Sequence, residues 1–283
     1  MRLILSRKGF DTSSGGCPSP ILPNERMVSL PIPDKQSTIS YEEISYDGRN
    51  LGAIVNSLTN GRIPSHYGAH LDPDLVHESL PRHSEWRPIF GQTGAAQGHL
   101  RNNGIRPGDL FLFFGLFRPV VKTPSGYAWA KKSPPYHAIW GWLQIGEILP
   151  LCDPRSSGYK WASYHPHFNR NPDPNNVVYL ASDNLCLGDR ESQTGAGVFP
   201  RCTKDLILTS KNAQTPSEWE LPDWFFPSDS RKPLTYHSDP TRWKKLGTQT
   251  ILQSVARGQE FILDCDDYPS AIPWLEHMLQ GKR

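Results

Sequence analysis

Gly104-Ile105-Arg106-Pro107-Gly108-Asp109-Leu110-Phe111-Leu112-Phe113-Phe114-Gly115 is the stretch that decides the fold class. Pro-Gly-Asp reads as a turn. The apolar run after it, residues 110–114, is too short for a core helix, rich in aromatics and bounded by glycine, so it reads as a buried strand. A polar loop leads to Tyr136-His137-Ala138-Ile139-Trp140-Gly141-Trp142-Leu143-Gln144-Ile145-Gly146-Glu147-Ile148. Its mixed period predicts a bent strand, with Gly141 and Gly146 where the chain kinks or admits another backbone. The two strands should be neighbours in one curved sheet, because continuous apolar runs need cover on both faces.

Outward from this core, 27 prolines and 23 glycines are spread over 283 residues, so helices are few and turns many. The expected class is α+β: one strand-rich domain over residues 1–283, with a curved sheet or barrel core around residues 104–150. Long Pro/Gly-rich loops and a few peripheral helices complete it. Further strands are expected at residues 3–5, 177–180, 206–209 and 261–264, and helices at 41–44, 51–58, 91–103 and 273–279. The aromatic crowd of Trp219, Trp224, Phe225, Phe226, Tyr236, His237 and Trp243 reads as core residues covering a sheet face.

A formal net charge of +2 does not mark a dedicated nucleic-acid binder, so any role for charge must be local. The cations cluster at Arg101 and Arg106, at Lys131 and Lys132, and at Arg242, Lys244 and Lys245. These are either solvated loops or phosphate contacts. Five scattered cysteines with no Cys-x-x-Cys pair argue against a zinc knuckle and a disulfide scaffold. The amino terminus is too weakly apolar for a signal peptide and no run reaches transmembrane length, so a cytoplasmic location is expected.

Three stretches carry candidate chemistry. The first strand ends at Arg7-Lys8 and runs into Gly9-Phe10-Asp11-Thr12-Ser13-Ser14-Gly15-Gly16, a loop whose amides could cradle an anion. Asp11 there is either a catalytic carboxylate or a turn cap. No Walker spacing is present, so no nucleotide cofactor is expected. In His70-Leu71-Asp72-Pro73-Asp74, alternate residues of an extended segment share a face and could act as a base or metal ligands; the aspartates could equally be caps. His165-Pro166-His167 is a His-x-His pair without an identifiable third ligand, so no metal or other cofactor is expected. Its aromatic flanks, with Tyr164, suit stacking on a base. Arg257, Gln259 and Glu260 stand at the entrance of the last strand.

The turn and two strands of residues 104–150 resemble the PUA-like barrels, including the ASCH and EVE modules, which bind RNA, DNA or modified bases. Six ordered blocks resemble the nucleotide-modification-associated domain family, third type, over nearly the whole chain. They are Ser6-Arg7-Lys8-Gly9-Phe10-Asp11, Pro18-Ser19-Pro20-Ile21, Leu30-Pro31-Ile32-Pro33-Asp34, His70-Leu71-Asp72-Pro73-Asp74, Gly108 to Gly115 and Ala256-Arg257-Gly258-Gln259-Glu260-Phe261. The resemblance implies a role in bacterial and phage systems that modify DNA or act against modified phage DNA. It implies no particular reaction.

Two functions follow as expectations. One is a DNA glycosylase of antiviral defence, a hydrolase that flips out a modified base and cleaves its N-glycosidic bond. Asp11 with Lys8 would be its catalytic groups, and Asp72 with His70 the alternative. Phe10, Tyr164, His167, Gln259 and Arg257 would hold the base, and Arg101, Arg106, Lys244 and Lys245 the DNA backbone. The other is a non-catalytic reader of modified bases that recruits a nuclease or modifying enzyme.

Overall fold

The computed structural model describes residues 1–280 apart from 47, 171, 172, 189, 229, 230 and 257. Its main sheet grows from the Pro-Gly-Asp turn. Gly108 takes a φ of +89°, which favours glycine, and the buried Asp109 carboxylate accepts from the backbone N–H groups of Arg106 and Arg2. The turn is thereby tied to the first strand.

Nine strands make this sheet: β1 (Arg2–Arg7), β2 (Ser19–Ile21), β3 (Ile89–Gln92), β4 (Leu110–Thr123), β5 (Gly126–Trp129), β6 (Tyr136–Pro150), β7 (Val177–Ala181), β8 (Ala196–Val198) and β9 (Glu260–Asp264). The order is β9-β1-β4-β6-β7-β3, with β2 and β5 also on β4 and β8 on β6. β1 and β2 run parallel to β4; every other pair is antiparallel. The expected neighbours, β4 and β6, are paired, with Phe113 opposite Gly141 and Leu110 opposite Gln144. Both register shifts of β6 involve its two glycines, one between Ile139 and Gly141 and one across Gly146. A Cβ on Gly141 would lie 3.0 Å from the Gly197 carbonyl, and one on Gly146 2.8 Å from the Ser182 nitrogen, so both are close-approach sites.

The sheet curls until its end strands face each other, and Gln92 Nε2 of β3 donates to Glu260 Oε1 of β9 at 2.6 Å. No backbone ladder joins these strands among the described residues, so the barrel implied by the PUA-like resemblance is not closed. Side chains bridge the gap instead.

The large core lies on this sheet, and a second, built on residues 10–71, packs around helix α1 (Leu51–Leu58), where Asn50 Oδ1 accepts from the Ala53 N–H. Helix α2 (Gly94–Asn102) begins later than its sequence suggests, because Gly91 and Gln92 pair with Val178 and Val177 in β3. Helix α3 (Ala271–Gln280) closes the described chain. Residues 206–209 form no ladder strand. Leu206 and Leu208 are buried through a 3-10 turn and single bridges, so their apolar spacing reports burial rather than pairing. A separate sheet joins Glu218–Pro222, Gln249–Gln253 and Trp243–Leu246. None of the described helices is long and apolar enough to cross a membrane.

Candidate functional site

Where β1 and β3 end and β9 begins, the curled sheet opens into a cavity of about 700 Å³. It gathers Lys8, Asp11, His70, Asp72, His167 and Gln259, side chains scattered over more than 250 positions of sequence. Its size falls within the range that holds a small-molecule ligand.

The wall between the end strands carries a buried ion pair. Lys8 Nζ lies 3.0 Å from Glu260 Oε1 and 4.6 Å from the centre of the Phe90 ring; the Lys8 side chain is 10% exposed and that of Glu260 fully buried. Gln92 donates to the same Oε1, leaving Glu260 Oε2 buried without a hydrogen-bond partner among the described residues. A buried pair of this kind adds little net stability, and an unpartnered carboxylate oxygen is costly, so its presence asks for a functional explanation. Arg7 donates to the Ala256 and Gly258 carbonyls and so pins the loop that leads into β9. Burial lowers its pKa.

The opposite wall is built on Asp72. Its Oδ1 accepts from the Gly91 N–H at 2.7 Å and lies 3.3 Å from His165 Nε2, while Oδ2 lies 3.5 Å from His167 Nε2 and 3.8 Å from His70 Nε2. Burial alone would raise the Asp72 pKa, but the histidines at its two oxygens hold it well below the usual carboxylate range. His70 is shifted down by burial, against the pull of Asp72. Its Nδ1 is bonded to Asp34 Oδ2 at 2.9 Å, and that of His167 to Asn176 Oδ1 at 2.6 Å. The ligand atoms of His70, Asp72 and His167 all lie within 4.8 Å of one another. Of the His-x-His pair only His167 belongs to this group, and its two companions, His70 and Asp72, come from 97 and 95 positions earlier in the chain.

Several expected roles change. Phe10 is fully buried in the second core, against Gly15 and the edge of Tyr41, and cannot stack on a base. Tyr164 is bound into a buried network: its hydroxyl donates to Asp74 Oδ2 at 2.6 Å and accepts from Arg82 and Trp86. Asp74 forms the core of that network through a 2.7 Å ion pair with Arg82. Asp11 faces the cavity, yet its Oδ1 accepts from the Ser13 N–H, the Ser13 hydroxyl and the Ser14 N–H, as a turn cap does. Arg257 lies outside the described residues, although Ala256 and Gly258 on either side line the cavity. Arg101, Arg106, Lys244 and Lys245 are exposed and do not line it; among the described residues its Lys and Arg side chains are Arg7, Lys8 and Arg170.

Two participants were hidden in the sequence. Glu260 was visible only as a charge at a strand entrance. Tyr236, placed by its aromatic neighbours among core residues, is 48% exposed and lines the cavity beside His99, with ring centres 4.5 Å apart. Its φ of +68° is costly for a bulky side chain, by about 1–2 kcal/mol, and such strain clusters at functional sites.

The family model described as nucleotide modification associated domain 3 matches residues 2–264. The chain belongs to this family. The match takes in every segment that lines the cavity, so the nucleotide modification associated domain 3 family and the site share one body of sequence. No curated protein and no solved structure matches the chain significantly.

Proposed function

We propose that the protein takes a modified base, flipped out of DNA, into the cavity between its end strands and hydrolyses the N-glycosidic bond. The observation that carries the proposal is the Glu260 carboxylate, buried at the cavity wall with one oxygen held by Lys8 and Gln92 and the other unpartnered. Such an oxygen can accept a proton from an attacking water or stand against positive charge growing at the anomeric carbon. Lys8 fixes the carboxylate and offsets charge on the departing base. Tyr236 offers the exposed ring on which a base stacks. Asp11, its Oδ1 engaged in the turn, would position the Gly/Ser loop against the nucleotide.

Pure protein incubated with DNA carrying bulky modified bases should release free base and leave abasic sites. Glu260→Gln keeps the side chain's shape and should reduce release by about a hundredfold to ten-thousandfold, whereas Asp11→Asn should leave a folded, largely active protein. Tyr236→Ala should weaken binding by roughly 1–3 kcal/mol. Full activity in folded Glu260→Gln would return the role to Asp11 or Asp72. Tight binding of modified DNA with no release would make the protein a reader that recruits another enzyme.

A further inference from the structure

We infer that His70, Asp72 and His167 bind a divalent transition-metal ion of the Zn²⁺ class, with open coordination positions facing the cavity. The inference concerns metal binding alone and does not depend on glycosidic cleavage.

The hydrogen bonds around the three side chains determine what they offer one another. His70 Nδ1 meets Asp34 Oδ2, an acceptor, so the ring carries a proton there. His167 Nδ1 meets Asn176 Oδ1; the amide is oriented by Asn176 Nδ2, which donates to the His167 carbonyl at 2.8 Å, so this ring also carries its proton on Nδ1. When neutral, both imidazoles therefore turn bare Nε2 lone pairs toward Asp72 Oδ2, at 3.8 and 3.5 Å. In that state three acceptors converge and repel unless a proton on an Nε2 or a metal ion lies between them.

The surroundings point the same way. His165 Nδ1 accepts from the His167 N–H, so a neutral His165 has its proton on Nε2, which is fully buried, makes no hydrogen bond of good geometry and approaches Asp72 Oδ1 at 3.3 Å. The Gly91 N–H occupies Oδ1, beside which His165 Nε2 lies, and Oδ2 is left facing the two Nε2 atoms. Each metal-facing nitrogen thus has an outer partner on its ring's other nitrogen, an arrangement that fixes tautomer and direction at metal centres. A Zn²⁺ ion about 2.1 Å from each ligand spaces tetrahedral neighbours by roughly 3.4 Å; Asp72 Oδ2 lies 3.5 and 3.8 Å from the two Nε2 atoms, and all three ligand atoms lie within 4.8 Å of one another, so the two rings need only draw together around an ion. Two imidazoles and one carboxylate suit Zn²⁺ or Fe²⁺ better than Mg²⁺ or Ca²⁺, which prefer oxygen throughout. All three residues line the cavity, where a bound ion could still take water or a ligand oxygen.

Protein stripped with chelator and titrated with Co²⁺ should take up one equivalent, give visible d–d absorption and lose it when Zn²⁺ is added. Asp72→Asn and His167→Gln, checked for folding by circular dichroism, should weaken uptake more than a hundredfold, and Asn176→Ala, which removes only the outer partner, by about 10–100-fold. Failure of the unaltered protein to bind one equivalent would overturn the inference, as would undiminished uptake in folded variants. If the two ligand variants do not fold, Asn176→Ala decides. Metal uptake without base release, or release from metal-free protein, separates this site from the glycosylase proposal.

Discussion

At the scale of single residues, burial and hydrogen bonding decide which titratable groups hold protons. His137, on β6, accepts at Nδ1 from Trp219 Nε1, 3.0 Å away, and burial lowers its pKa to about 4. Burial likewise lowers His237 to about 4; its Nε2 accepts from the Val255 N–H. A lowered folded pKa means that the unfolded chain binds more protons between pH 4 and 6.5. Stability should therefore be full above pH 6.5 and fall as pH drops toward 4, by up to roughly 3 kcal/mol from His137. Urea midpoints at pH 7 and 4.5 measure the loss. His137→Gln, which keeps an acceptor for Trp219 without a titrating ring, should flatten the dependence. An equally steep loss in that variant would exonerate His137.

At the scale of elements, β3 holds the site's two walls together, with Gln92 reaching Glu260 and Gly91 giving its N–H to Asp72. A Cβ at Gly91 would lie 2.3 Å from His167 Cδ2, so Gly91→Ala should force the ring aside. The expected cost is about 1–3 kcal/mol, with loss of the His167 geometry. Gly98, in the middle of α2, has nothing within 4 Å of a built Cβ, so Gly98→Ala should stabilise by about 0.5–1 kcal/mol. Chemical denaturation of both variants checks the contrast. Two changes of the same sign would show that space around the glycine is not the deciding factor.

At the scale of the whole molecule, the net charge of +2 means that the DNA binding proposed above must rest on local fields. Arg101 lies on α2, whose first turn lines the cavity, whereas Lys244 and Lys245 belong to the separate three-stranded sheet. If these three cations and Arg106 contact phosphates, each alanine substitution should flatten the logarithmic salt dependence of binding by about one unit. A quadruple variant with the unaltered slope would confine backbone contacts to Arg170 and the cavity rim.

The sequence by itself determined the β4–β6 pair, the bends at Gly141 and Gly146 and the helix Leu51–Leu58, because short-range sterics and apolar periodicity are written locally. It also pointed to Lys8, Asp11, His70, Asp72, His167 and Gln259, all of which reached one cavity. Tertiary structure decided which of them meet. The curl of the sheet, a property of all its strands, placed Glu260 against Lys8 and Gln92, and folding brought Asp72 to the two histidines 93 and 95 positions later. It also buried Phe10, tied the Tyr164 hydroxyl into the Asp74–Arg82 network and brought Tyr236 to the rim. A side chain's type does not reveal whether its neighbours in space leave it exposed, and those neighbours come from distant parts of the chain.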